Sequence, residues 1–232
     1  MNPDIRYLYN AHGAGLGGHI RLPFDEIIQV QAPGALPISG GYSSTRVDNF
    51  SFKGILTASA IYTEVAGSYS AEKDSFGTSV TTTIEKFNLL NVVTADRIVA
   101  RLTSRHPASQ ATDAIVEAEI IPVGSHFENL RIGGQLIDVT LDVQTFCDNP
   151  THSARCAAGI GTMQYGVLVG SLVKSGCDNV IKVPQFGRVE LAQIISKDRV
   201  LRLTMLQIDL GCSIAGSTTA GCVESNGGPI KP

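Results

Sequence analysis

One short run of residues recurs three times along the chain, at intervals of roughly 40 positions, a period that signals repeated structural units. Phe50-Ser51-Phe52-Lys53-Gly54-Ile55-Leu56-Thr57-Ala58 is answered by Phe87-Asn88-Leu89-Leu90-Asn91-Val92-Val93-Thr94-Ala95. Leu130-Arg131-Ile132-Gly133-Gly134-Gln135-Leu136-Ile137-Asp138 is a looser copy. Each copy opens with apolar residues two apart, the spacing that puts both on one face of a strand. After a short step of small or polar residues, each continues into a second β-forming run. The repeat-like units lie near 47–65, 84–102 and 127–143, with a loop-rich, cysteine-containing part over 147–232.

The rest of the chain agrees with that reading. Helical periodicity is nearly missing, and turn signals interrupt short β runs every ten residues or so. Leu201, Leu203 and Met205 alternate on one face, then Leu206, Ile208 and Leu210 carry on one position out of phase, the mark of a β-bulge. The best short helix candidate is 112–119, although its apolar pairs fit a strand equally well. The sequence therefore predicts one all-β domain over 1–232. It is an antiparallel sandwich or barrel-like fold of recurring strand pairs, with at most one or two short helices.

Charge and composition narrow the partners. A net charge of -3 offers no basic field for phosphate backbones, so nucleic acid is not expected as a partner. Only 17% of residues are charged, and Ser, Thr and Gly fill the gap. No run of 18 apolar residues exists, so no transmembrane helix is expected. The opening Met-Asn-Pro-Asp-Ile-Arg-Tyr has neither a basic start nor an apolar run, and it does not read as a signal peptide. The compartment stays open.

Several motifs invite chemistry. Gly13-Ala14-Gly15-Leu16-Gly17-Gly18 satisfies G-x-G-x-x-G, but His19-Ile20-Arg21-Leu22-Pro23 follows where a dinucleotide loop needs a helix. Glycines that let a strand twist or pack closely account for it better. No serine or cysteine stands beside a recognisable base, so no catalytic residue, cofactor site or metal site is assigned and an enzyme is not expected. Cys147, His152 and Cys156 would supply three soft ligands from one loop, yet a fourth zinc ligand is not evident. Cys147 with Cys156, and Cys212 with Cys222, are disulfide candidates that bracket short loops; small buried thiols are the competing reading. The Ser/Thr-rich segment 68–83 reads as an exposed hairpin. Tyr69, Ala71, Phe76 and Val80 are too sparse, with Lys73-Asp74 between them, for a pore-lining hairpin.

Several segments together resemble the choice-of-anchor P family of bacterial secreted and surface proteins. They are the opening Gly-rich strand, the connector Pro33-Gly34-Ala35-Leu36-Pro37-Ile38-Ser39-Gly40-Gly41, and 87–101 with its Val93-Thr94-Ala95-Asp96. Phe127-Glu128-Asn129-Leu130-Arg131-Ile132-Gly133-Gly134 and the late runs 187–193 and 201–211 complete the set. The resemblance implies a β-rich protein that is secreted or at the cell surface, and it transfers no catalytic residue. Together these readings point to a non-enzymatic structural or interaction protein acting through β-surface contacts. Its partner would be a second copy, another protein or a cell-surface component, with the apolar strand 5–20 as the segment that pairs. A ligand- or polysaccharide-binding module using the Gly-rich and cysteine-bracketed loops is the alternative, and a pore-forming or toxin-like protein a further one.

Overall fold

Alternating burial and paired left-handed turn residues build nearly the whole molecule from antiparallel strands. The computed structural model describes residues 7–108, 117–197, 200–211 and 213–229. The strands are β1 Tyr7–Leu22, β2 Glu26–Gln31, β3 Gly34–Ala35, β4 Gly41–Phe52, β5 Leu56–Ser70, β6 Ser75–Leu89 and β7 Val93–Pro107. Four short strands follow: β8 Glu119–Ile121, β9 His126–Glu128, β10 Arg131–Ile132 and β11 Gln135–Leu136. Two six-residue helices, α1 Val143–Asp148 and α2 His152–Ala157, precede β12 Thr162–Gln164, β13 Val167–Ser171 and β14 Val180–Val183. The chain ends in β15 Gly187–Lys197, β16 Val200–Leu210 and β17 Ala215–Pro229.

Two antiparallel sheets pack face to face as an all-β sandwich. The first runs β12-β13-β15-β16-β17-β1-β2, with β14 on β15 and β3 on β1; the second runs β11-β10-β7-β6-β5-β4, with β8 and β9 on β7. Their inner faces share one apolar core that includes Leu16, Ile61, Ile84, Ile98, Leu203 and Val223. The two helices carry Cys147 and Cys156, the cysteines that bracket the loop between them. Of the expected helix at 112–119, residues 112–116 lie outside the described part, and Glu119 already belongs to β8.

Each repeat copy is a β-hairpin, and the three hairpins stand side by side in the second sheet. Their tips carry paired left-handed residues, the backbone that matches strand twist: Lys53 and Gly54 (φ 49° and 68°), Leu90 and Asn91 (55° and 56°), Gly133 and Gly134 (59° and 82°). Neighbouring tips are chained, because Leu90 N–H donates to Ile55 O at 2.9 Å and Gly133 N–H to Val92 O at 2.8 Å. The residue before each copy is also left-handed: Asn49 (φ 53°), Lys86 (50°) and Asn129 (50°). There the inward phase steps by one. Thr78, Val80, Thr82 and Ile84 face the core before Lys86, and Phe87 and Leu89 face it afterwards.

The phase slip at Met205-Leu206 is the same feature in the first sheet. No bulge interrupts the pairing there, since Leu191↔Leu206 and Gln193↔Thr204 keep one register. Instead the residues beside Met205 on both neighbouring strands, Ala192 (φ 48°) and Gly221 (φ 65°), adopt the left-handed conformation. All of Leu201, Leu203, Met205, Leu206 and Ile208 are thereby buried.

Segment 68–83 is a hairpin with an exposed tip at 71–74, but its body is packed: it closes β5 onto β6, and Ser75, Thr78, Thr82 and Thr83 of β6 are buried. Thr78 Oγ1 lies 2.8 Å from Ser225 Oγ of the opposite sheet, and Thr63 and Thr82 hydroxyls meet at 3.0 Å. Buried hydroxyls are tolerated here because they satisfy one another.

The Gly-rich run lies within β1, in the interior of the first sheet. A Cβ on Gly15 would stand 2.0 Å from Ile61 Cγ2, and one on Gly13 2.7 Å from Thr82 Oγ1, so bare backbone lets the sheets approach. Gly17 has only ordinary contacts, 3.5 Å at the nearest. Gly15→Ala should therefore destabilise the protein by about 1–3 kcal/mol through overpacking, lowering Tm by roughly 3–10 °C, while Gly17→Ala costs far less. Thermal melts of the two variants check this; equal melting points would remove the steric account.

Tyr7 opens β1 inside an aromatic cluster, stacked on Phe76 with ring centroids 4.3 Å apart and edge-on to Tyr9 at 4.8 Å. Its buried hydroxyl has no partner among the described residues. Burial, then the neighbouring Tyr9, push its pKa up to about 12. The folded state holds this proton more tightly than the unfolded chain, so the contribution is complete below pH 10 and disappears as pH rises towards 12. That loss is about 2–3 kcal/mol. Tyr7→Phe should raise stability at neutral pH by about 1 kcal/mol and remove much of the alkaline decline, leaving the smaller part from Tyr9, which burial also raises. Denaturant titrations at pH 8 and pH 11.5 read both effects.

Candidate functional site

Backbone hydrogen-bonding capacity is left open on one side of the sandwich. At the far side the sheets finish in β11, two residues long, and β12, three residues long. Short edge strands of this kind guard a sheet against pairing with another chain. On the near side the second sheet ends in β4, twelve residues that among the described residues pair only with β5. β4 carries neither proline nor lysine, two residues that commonly blunt edges.

The surroundings of β4 are specific. Thr45 Oγ1 donates to Pro33 O at 2.8 Å, anchoring its inner face to the β2–β3 connection. Lys53 Nζ reaches Glu26 Oε1 at 2.6 Å and sits 4.3 Å from the Phe24 ring centre, so the edge strand β2 of the first sheet lies on this same side. Along the outer face, Arg46 Nε donates to both Asp48 oxygens at 2.9 and 3.1 Å, and Tyr42 Oη donates to Glu64 at 3.1 Å. Tyr42, Ile38, Ile27 and Val30 are apolar side chains well exposed around this edge.

The strand expected to pair with a neighbour is otherwise engaged. β1 bonds to β17 on one edge and to β2 and β3 on the other, and Leu36 N–H and Tyr9 N–H close the remaining stretch through Ala11 O and Ile38 O. The same burial removes the Gly-rich segment from any ligand-binding loop. An open apolar depression does exist where the hairpin tips meet the β14–β15 and β16–β17 turns, lined by Leu90, Val92, Phe186, Leu210 and Ile214.

The cysteines distribute without a bridge among the described residues. Cys147, Cys156, Cys177 and Cys222 are free thiols. Cys212 lies outside the described residues. Its proposed partner Cys222 sits deep within β17, facing Thr204 and Ala14, six residues from Gly216 at the start of the register. Burial pushes the Cys222 thiol up. Cys147, on α1, faces a depression lined by Thr103, Arg105 and Glu119, whereas Cys156, on α2, points elsewhere. No three His, Cys, Asp or Glu side chains converge among the described residues, so the set Cys147, His152 and Cys156 does not assemble.

Cys156 instead stands in a different constellation. Thr151 caps α2 by accepting from Ala154 N–H, and the one-turn spacing sets His152 and Cys156 on one face, with Sγ 3.5 Å from His152 Nε2. Gly159 (φ 67°) and Gly161 (φ 83°) turn the chain back into β12, which lays Met163 Sδ 3.9 Å from Cys156 Sγ. His152 Nδ1 lies 3.0 Å from the buried Ser196 Oγ of β15. Met163 was not among the residues singled out by sequence, because a thioether seven positions beyond a thiol carries no recognised spacing.

Beneath this group, Arg155 is buried at 1% exposure and ties the two sheets together. It donates to Pro150 O (2.7 Å), Ile120 O of β8 (3.3 Å), Asn149 O (3.4 Å) and Ser196 Oγ (3.3 Å). Burial pushes its guanidinium down to about 10 against the attraction of Glu117 and Cys156. Burial alone would raise Glu117, but two hydrogen bonds from Ser153, with His152 and Arg155 nearby, hold its carboxyl below the usual range.

Residues 7–164 match the family described as a domain of unknown function, DUF8256. The chain belongs to that family. No curated protein and no solved structure matches the chain. The matched stretch holds all of the second sheet but only β1, β2, β3 and β12 of the first, so β1 takes its main partner, β17, from outside it.

Arg155→Ala should remove a donor from four acceptors at the junction of the sheets, of which Pro150 O keeps Ile120 N–H and Ser196 Oγ keeps His152. It should cost about 2–4 kcal/mol through the lost charge-assisted bonds and the cavity left behind. Arg155→Lys should recover only part, since one ammonium cannot reach the same fan of acceptors. Chemical denaturation of both variants measures the difference.

Proposed function

We propose that this protein is a non-enzymatic interaction module that self-associates through the free edge of β4, with a second copy of the chain as its partner. The observation that carries the reading is the asymmetry of the edges: the far-side sheet ends are two or three residues long, whereas β4 presents twelve. Unpaired backbone groups along such a strand supply affinity by strand addition, and side chains supply register.

Charge favours a second copy. An antiparallel pairing of two β4 strands centred on Val47 sets each Arg46 opposite the other copy's Asp48, so the patch is complementary to itself. That is the requirement of a two-fold interface. The Arg46–Asp48 pair within one chain is half exposed and contributes little alone. Across an interface, the same two residues would form two pairs.

Sedimentation velocity over a concentration series tests the reading. The native protein should show a reversible dimer. Arg46→Asp and Asp48→Arg should each weaken it by at least about fivefold through like-charge opposition. Combining the two substitutions exchanges the charges and should restore dimerisation. A native chain that stays monomeric at high concentration, or charge variants that dimerise unchanged, would remove the proposal.

A further inference from the structure

We propose that His152, Cys156 and Met163 form a binding site for one monovalent copper ion, a role separate from the β4 edge. The separations of Cys156 from each of the other two are those of donors that share a metal. Bonds of about 2.3 Å to sulfur and 2.0 Å to nitrogen, meeting near 110°, hold sulfur and nitrogen about 3.5 Å apart and two sulfurs about 3.8 Å apart. The observed spans are 3.5 Å from Cys156 Sγ to His152 Nε2 and 3.9 Å from Cys156 Sγ to Met163 Sδ. An ion entering here needs no backbone movement to meet the cysteine with either partner.

The donor set selects the metal. Thiolate and thioether together favour Cu(I), which accepts low coordination numbers. Zinc takes cysteine, histidine and carboxylate ligands and completes a tetrahedron. Here the third donor is a thioether, and the described residues place no further histidine, cysteine or carboxylate in a group of three around it.

The surroundings are those of a supported site. Ser196 Oγ, fully buried, holds His152 Nδ1 at 3.0 Å, and Arg155 Nη2 fixes that hydroxyl from below. With Nδ1–H donating to the serine oxygen, the Nε2 lone pair faces Cys156, the arrangement by which an outer hydrogen bond orients a metal-binding imidazole. Met163 is 52% exposed, so copper has a way in from solvent. Binding displaces the Cys156 thiol proton to solvent, and the thiolate, imidazole and thioether each donate one lone pair; no oxidation is involved.

The experiment uses the full chain under reducing, oxygen-free conditions, with Cu(I) supplied as its bicinchoninate complex. A variant with Cys147, Cys177, Cys212 and Cys222 all replaced by serine removes competing thiols. It and the native chain should each withdraw one equivalent of Cu(I) from the chelator at this site. Cys156→Ser should abolish the transfer, and Met163→Leu and Ser196→Ala should each weaken it by about 10–100-fold. Met163 lies at the surface, so its variant tests the site without threatening the fold. X-ray absorption of the loaded native chain should show two sulfurs and one nitrogen around copper. Failure to compete with the chelator, undiminished binding by Met163→Leu, or a shell without nitrogen would overturn the proposal. Zn(II) binding tighter than Cu(I) would overturn the metal assignment.

Discussion

A crease of left-handed residues runs across each sheet, and the rest of the architecture depends on it. Asn49, Lys86 and Asn129 mark it in the second sheet, Ala192 and Gly221 in the first. At each step the side chains change which parity faces the core, while the strands keep their register. A step confined to one strand would turn half its apolar residues towards water, since a shift of one residue inverts a strand's faces. The neighbours must step together. Strands of fifteen residues thus keep one inner face along their full length, and the hairpin tips arrive level enough to hydrogen-bond to one another.

Close approach of the sheets is the companion constraint. Gly13 and Gly15 press bare backbone against Thr82 and Ile61; buried hydroxyls satisfy one another, Thr63 with Thr82 and Thr78 with Ser104 within the second sheet, and Thr78 with Ser225 across the gap. The small, uncharged composition that looks like a solvated surface is partly an interior. This leaves the outer faces and the β4 edge to carry interactions, and it is why the functional reading moves from the first strand to the fourth.

The corner formed by α1 and α2 works differently. It has little apolar core of its own, so a buried cation does the joining. Arg155 gathers carbonyls from β8 and from the α1–α2 turn, and it reaches the serine of β15 that also touches His152. The same bonds that close the corner hold the imidazole in place beside Cys156.

Local pattern alone determined the all-β class, the three recurring hairpins, the twisted glycine-bearing first strand and the phase slip at Met205-Leu206, because period-two burial and turn chemistry act over a few residues. Tertiary structure decided which edge stayed free, which way the Ser/Thr face of β6 turned, and that Met163 rather than Cys147 would stand beside Cys156. Those outcomes depend on how residues far apart in the chain are brought together by sheet order and by the turn after α2, and alternation along a single strand looks the same whichever side the partner sheet takes.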